Sequence, residues 1–346
     1  MSARNRVLAI VFGVLLGLTL ILDRPWQGDA HERTMATVRP LLTELQRDVE
    51  VGRVRIQPAN GGPAVQIEKV LDRGQPRWVV PEAFDHPADI EKLGRLIASL
   101  RALETRNLES VQADSHATYK LRQGEAIGIE VWSDEGELLA HLMIGGLRGQ
   151  DILDGGEPIV QFYVREADAN EVYRSNAVYL PPETAARWCD TRFLSAVDES
   201  MVMFLERTDH QGRESWRIVC DAEVAGANAE NSEQEAEASG RWQMVMPESV
   251  LVPDFAADSW LFTLMGLEAA EVLGLATTPE GAERFGELQD TFELGLEAGA
   301  FRMDLGGVLE GGRRAMRVHG LPHLYAIEDF DAEQLAQAVA DMQVVD

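Results

Sequence analysis

The chain has 346 residues, 45% of them hydrophobic, and 58 Asp and Glu against 31 Lys and Arg, a formal net charge of −27. Length and apolar content suffice for two domains with buried cores, which excludes wholesale disorder. The acidity excludes a nucleic-acid partner, because binding a phosphate backbone needs a basic face, and it weakens attraction to anionic membrane surfaces.

Residues 7–22, VLAIVFGVLLGLTLIL, carry no charge. As a helix they span roughly 24 Å, a little short of a hydrocarbon core of roughly 30 Å. Arg6 can snorkel at one end and Trp26 can sit at the interface at the other. Arg4 and Arg6 before the run place the N-terminus in the cytoplasm. The expectation is a single-pass signal anchor in the inner membrane, with the bulk of the chain in the periplasm or outside the cell. A cleaved signal peptide is the alternative, with Gly28-Asp29-Ala30 as a weak cleavage site. The anchor and its cytoplasmic tip take residues 1–26, and 27–50 form a juxtamembrane segment. There, Met35, Val38, Leu41, Leu42, Leu45 and Val49 have near-helical spacing around Pro40.

Two α+β stretches of mostly antiparallel sheet, with one main helix each, are expected to follow, at residues 51–195 and 196–346. In the first, Val54-Arg55-Ile56 and Val65-Gln66-Ile67 alternate as strands around the turn Asn60-Gly61-Gly62-Pro63. Arg77–Val80 is a third strand. Pro87 opens a helix whose face is Ile90, Leu93, Ile97, Leu100 and Leu103. Ile127–Trp132 and Leu138–Ile144 make a hairpin, Val160–Arg165 and Glu171–Tyr173 another, and Glu183–Trp188 is a short helix leading out.

The second stretch repeats the order. Met201–Glu206 and Trp216–Cys220 are strands, then residues 223–240 form an acidic loop with too little apolar content for a core. Trp242–Val245, a helix around Ala257–Leu273, a hairpin at Thr291–Leu305 and strands at Arg314–Val318 and Leu324–Ile327 follow, before a last helix at Ala332–Met342. Trp78 and Trp242 mark the repeat as core anchors, and Gly145-Gly146 and Gly306-Gly307 mark it as pairs that end their strands in a turn or bulge.

No catalytic pattern stands out: G-x-S-x-G, the phosphate-binding glycine loop and H-E-x-x-H are all missing. His319 and His323 are four apart, but Gly320 and Pro322 between them favour a polar turn over a metal-binding helix face. No catalytic, cofactor or metal residue is expected. Cys189 and Cys220 are the only cysteines, and an exported chain permits a disulfide between them, two unpaired thiols being the alternative. Arg313-Arg314 reads as a solvated turn.

The strand Trp78-Val79-Val80-Pro81, the helix from Asp89 to Leu103, the Ile144-Gly145-Gly146 strand end and the pair Tyr163-Val164-Arg165 and Val172-Tyr173 together resemble the domain of unknown function 4340 family. The link Asp190-Thr191-Arg192-Phe193-Leu194 is similar to that family's bridge into a second copy. The resemblance covers roughly residues 45–335 and implies an accessory role beside ABC-type transport components. It implies no catalytic residues. The leading expectation is therefore a membrane-anchored, non-enzymatic accessory or scaffold protein of an ABC-type transport system. The alternative is a periplasmic binding module for a small ligand or envelope polymer. A continuous apolar surface strip would favour the first, and an apolar pocket with converging polar groups the second. A hydrolase needs a nucleophile–base or metal cluster that the sequence does not display.

Overall fold

The computed structural model describes residues 38–152, 158–212, 215–220, 242–246, 250–252, 254–297 and 299–341. The apolar run at 7–22 and the acidic stretch at 223–240 lie outside them. Among the described residues no helix is long and apolar enough to cross a membrane.

The chain is α+β, and one order of elements occurs twice. In the first series β1 (Val51–Gln57), β2 (Val65–Asp72), β3 (Gln75–Val80) and β4 (His86–Pro87) precede the helix α1 (Ile90–Arg101). Then come β5 (Leu108–Ser110), β6 (Ile127–Ser133), β7 (Leu138–Ile152), β8 (Pro158–Glu166) and β9 (Val172–Ser175). In the second series β10 (Val202–Asp209), β11 (Trp216–Cys220), β12 (Trp242–Met246) and β13 (Val250–Val252) precede α2 (Asp254–Met265) and β14 (Glu271–Leu275). The helix α3 (Pro279–Phe285), β15 (Asp290–Leu296), β16 (Gly299–Leu309), β17 (Arg313–Val318), β18 (His323–Glu328) and α4 (Asp329–Asp341) complete it.

The antiparallel ladders recur as well. β6 pairs with β1 and β7, β7 with β8, β8 with β9, and β9 with β5. Likewise β15 pairs with β10 and β16, β16 with β17, β17 with β18, and β18 with β14. β3 lies between β2 and β4 as β12 lies between β11 and β13. The described residues gather into two compact units, one of 38–64 with 94–181, the other of 65–93 with 182–341. Residues 65–93, early in the first series, thus belong to the second unit.

Alternation sets each core. In the first unit Val54, Ile56, Ile129, Val131, Leu142 and Ile144 are buried, as are Leu96 and Leu100 on the inner stripe of α1. In the second unit Leu205, Ile218, Phe292, Leu294, Met303 and Leu305 are buried. Trp216 meets Trp260 edge-on at 5.1 Å, and Trp260 donates its indole N–H to Leu335 O, fastening α2 to α4.

Several expectations need correction. The near-helical spacing around Pro40 gives, among the described residues, no α-helix but a bridge from Pro40 to Glu104 and a short turn at Glu44–Gln46. Leu41, Leu42 and Leu45 are buried without a helix, and Leu41 N–H donates to Leu103 O. Pro87 lies in β4, and Asp89 caps α1 instead, its carboxylate accepting from Lys92 N–H at 3.0 Å. Trp242 is fully buried but Trp78 only half. Trp242 opposes Val252, two residues before α2 begins at Asp254, and Ala88, two residues before α1 begins at Ile90, donates its N–H to Trp78 O at 2.9 Å. The two tryptophans hold the same ladder position and differ in burial.

Nor do the glycine pairs end their strands: β7 continues to Ile152 and β16 to Leu309. Each pair lies in a bulge, between Ile144 and Leu147 or between Leu305 and Val308. A Cβ on Gly145 would stand 2.3 Å from Tyr119 O, and one on Gly306 would stand 2.1 Å from Phe285 O. In both places another segment's backbone comes too close for any side chain.

Candidate functional site

After β3 the chain makes a tight turn at Pro81–Ala83, and Phe84 and Asp85 then take φ of 61° and 57°. Two successive non-glycine residues in the left-handed region cost about 1–2 kcal/mol each. Hydrogen bonds hold the turn: Phe84 N–H donates to Pro81 O, and His323 Nε2–H donates to Phe84 O at 2.9 Å. The turn delivers His86 into the interior at the start of β4.

His86 and His323 are both buried, with ring centres 4.7 Å apart. Each ring faces a carbonyl, which fixes its tautomer. His86 Nδ1–H donates to Pro87 O at 2.9 Å, so its Nε2 accepts from the Tyr325 hydroxyl at 3.2 Å. Because Nε2 of His323 carries its proton, Nδ1 is the lone-pair nitrogen, and no described residue bonds to it. Tyr325 also meets Phe193 edge-on at 4.9 Å.

Burial governs the ionisation of this group. It lowers His86 to about 4, the Pro87 carbonyl working in the opposite direction. It lowers His323 too, with the Arg77 cation adding to the effect, and it raises the Tyr325 phenol. All three side chains are neutral at neutral pH.

A cleft of about 480 Å³ opens on them, within the range of small-molecule sites. Phe84, Phe193, Leu275 and Leu321 contribute apolar wall, and Arg77, Asp190 and Arg192 contribute charge. Asp190, Arg192 and Phe193 come from the link between the two series. That link is held by Asp190 N–H donating to Pro87 O at 2.9 Å and by a bridge from Arg192 to Glu268. Arg192 is ion-paired with Asp190 at 3.2 Å, while among the described residues Arg77 reaches only Asp72, at 3.5 Å on the surface. The cleft thus offers a lone-pair nitrogen, the free lone pairs of a phenol oxygen and a lightly engaged guanidinium, against aromatic walls. Such a set can orient a small ligand with an apolar body and polar groups.

The residues singled out from sequence lie elsewhere or play other parts. Cys189 is a buried free thiol donating to Ala185 O at 3.6 Å, so the disulfide to Cys220 is not formed. Burial pushes this thiol up to about 12, which makes it inert at neutral pH. His319 and His323 part company: His319 Nε2 bonds Asp304 Oδ2 at 2.9 Å, away from the cleft. Arg313 and Arg314 are strand residues paired with Glu271 and Asp329 rather than a solvated turn. Among the described residues no group of three or more His, Cys, Asp and Glu is arranged to hold a metal.

Sequence reasoning missed His86, His323 and Tyr325. His86 and Tyr325 are 239 residues apart, and neither carries a local motif. The one legible trace was the Asp190–Phe193 link. The family model described as Domain of unknown function (DUF4340) matches residues 78–283, a stretch containing β4, the link and α2. No curated protein and no solved structure matches the chain.

Proposed function

The chain belongs to the domain of unknown function 4340 family, and from that footing we propose that it is a non-enzymatic binding module, anchored in the inner membrane by residues 7–22, that holds a small ligand in the His86–His323–Tyr325 cleft outside the cytoplasm. The observation that carries this reading is the buried, neutral histidine pair with an unspent Nδ1 beneath an aromatic-walled cleft. Strain at Phe84 and Asp85 supports it, because residues held in costly backbone geometry cluster at ligand sites.

The test is a thermal-denaturation screen of small organic compounds against the full-length protein in detergent. Compounds that use the cleft raise the melting temperature of the wild type and leave a cleft-filling Leu321→Trp variant unmoved. A library that shifts neither protein, or shifts both alike, would sink the reading.

A second reading, an accessory of an ABC-type transport system, has its own support. On α2, Phe255 and Phe262 are 75% and 73% exposed and lie seven residues apart on one face, and Phe330 at the start of α4 is 66% exposed. An apolar strip of this kind suits a partner helix. Affinity purification from native membranes discriminates. Stoichiometric recovery of an ATPase and permease, lost in Phe255→Ser/Phe262→Ser, supports the accessory role, and recovery of the folded protein alone counts against it.

A further inference from the structure

The first unit holds a second cleft, of about 290 Å³, on the sheet face around β6, β7 and β8. Its meaning emerges from the equivalent place in the second series. The ladders align the two: Gly128 opposes Met143 and Met143 opposes Arg165, just as Thr291 opposes Asp304 and Asp304 opposes Arg317. One further hydrogen bond fixes the alignment. Ala167 N–H donates to His141 O at 2.8 Å, and His319 N–H donates to Arg302 O at 2.9 Å.

In the second series the position is filled and neutralised. The Asp304 carboxylate is buried and accepts from Arg317 at 2.7 Å, from His319 at 2.9 Å and from the Thr291 hydroxyl at 2.8 Å, with Arg302 at 3.7 Å. Burial alone would raise this carboxyl, but those hydrogen bonds outweigh it and hold the group below its usual range.

In the first series the arginine is kept and its carboxylate is gone. Met143 stands for Asp304, Gly128 for Thr291 and Ala167 for His319, and the three smaller or apolar side chains leave the cleft open. Arg165 directs Nε, Nη1 and one Nη2 N–H to backbone carbonyls, among them Leu121 O at 3.1 Å and Glu166 O at 3.0 Å, and its second Nη2 N–H has no acceptor among the described residues. It has no ion pair among the described residues. Asp168 also lines the cleft, exposed, and its charge partly offsets the burial of Arg165. Glu130 is held by Arg55 at 3.4 Å and faces His141 at 3.7 Å.

We propose that this cleft binds a small carboxylate, seated over Met143 against Arg165, with Arg55 and His141 at its edge, in the place that Asp304 fills in the second series. The proposal stands independently of the His86 cleft, which lies in the other unit. A carboxylate there supplies a charge-assisted acceptor to a half-buried guanidinium whose hydrogen-bond partners are backbone carbonyls and whose nearest counter-charge is the exposed Asp168.

The test is ¹³C-methyl-methionine NMR of the full-length protein in detergent, titrated with sodium acetate and sodium succinate against sodium chloride at matched ionic strength. The Met143 signal, assigned through Met143→Leu, is expected to move saturably with a carboxylate and not with chloride. Gly128→Thr brings in the residue of the second series at a site where a Cβ meets nothing closer than 3.4 Å, so the fold is kept and the response is abolished. Ala167→His is a second filler with the same expected loss. No saturable shift up to about 100 mM carboxylate, a response shared by chloride, or a response that survives in both fillers would overturn the proposal.

Discussion

Ile56 and Ile127 in the first series occupy the ladder positions that Arg207 and Asp290 occupy in the second. All four are buried or nearly so. The first pair is apolar. In the second, Arg207 grips one Asp290 oxygen at 2.8 and 2.9 Å, lies 3.5 Å from Asp209 and donates to Ala336 O on α4 at 2.9 Å. The backbone ladder is indifferent to this exchange, because it needs only alternation, turns and the glycine bulges. What the exchange changes is attachment: the ionic version carries a donor that ties the following helix to the sheet. The carboxylate swap between Met143 and Asp304 teaches the same lesson about clefts. One scaffold is opened or closed by three side chains.

The largest effect should come from breaking the buried ionic core. Arg207→Ala removes the cation held between the buried Asp290 and Asp209 carboxylates and should lower stability by about 3–5 kcal/mol, whereas Ile56→Val in the first series should cost about 1 kcal/mol. Urea denaturation of each variant measures the contrast, and equal losses would show that the two cores carry load alike. The bulges should behave alike instead. Gly145→Ala and Gly306→Ala each force a methyl onto a carbonyl oxygen and should cost about 1–3 kcal/mol. A neutral result at either would mean that the close approach to Tyr119 or Phe285 relaxes freely.

Of similar size is a pH effect confined to the second unit. The folded value of His86 is depressed from 6.5 to about 4, so between those values the unfolded chain binds a proton that the native chain does not. Its contribution is complete above pH 6.5 and is lost as pH falls toward 4, a change on the order of 3 kcal/mol. Melting temperature followed from pH 7 to 4 should fall more steeply for the wild type than for His86→Phe. Parallel curves would remove His86 as the cause. The smallest effect is relief of backbone strain: Asp85→Gly should stabilise the chain by up to about 1 kcal/mol. A loss would show that the Asp85 side chain does more than tolerate its turn.

Much of the architecture was legible in the sequence, and the reasons are local. Alternation in Val54-Arg55-Ile56, the periodic face of Ile90 to Leu100 and the turn at Asp134-Glu135-Gly136 all act over a few residues. The glycine pairs were visible as markers, but not the carbonyls of Tyr119 and Phe285 that require them, since those contacts are made across the sheet. Trp78 misled because a tryptophan beside valines reads as core, yet at the ladder position of Trp242 it is only half-buried. The candidate site was least legible. A histidine next to Pro87 and another next to Pro322 look like turn residues until the fold brings their rings together at a tilt, and no short-range pattern encodes that meeting.

The binding function proposed for this chain turns on whether the His86–His323–Tyr325 cleft holds a small ligand. Native mass spectrometry of the full-length protein, released gently from its own membranes, tests it most directly. The expected result is a discrete added mass of small-molecule size on the wild type, released on unfolding and missing from Leu321→Trp. A wild type that carries no added mass, or one that Leu321→Trp carries equally, would contradict the account.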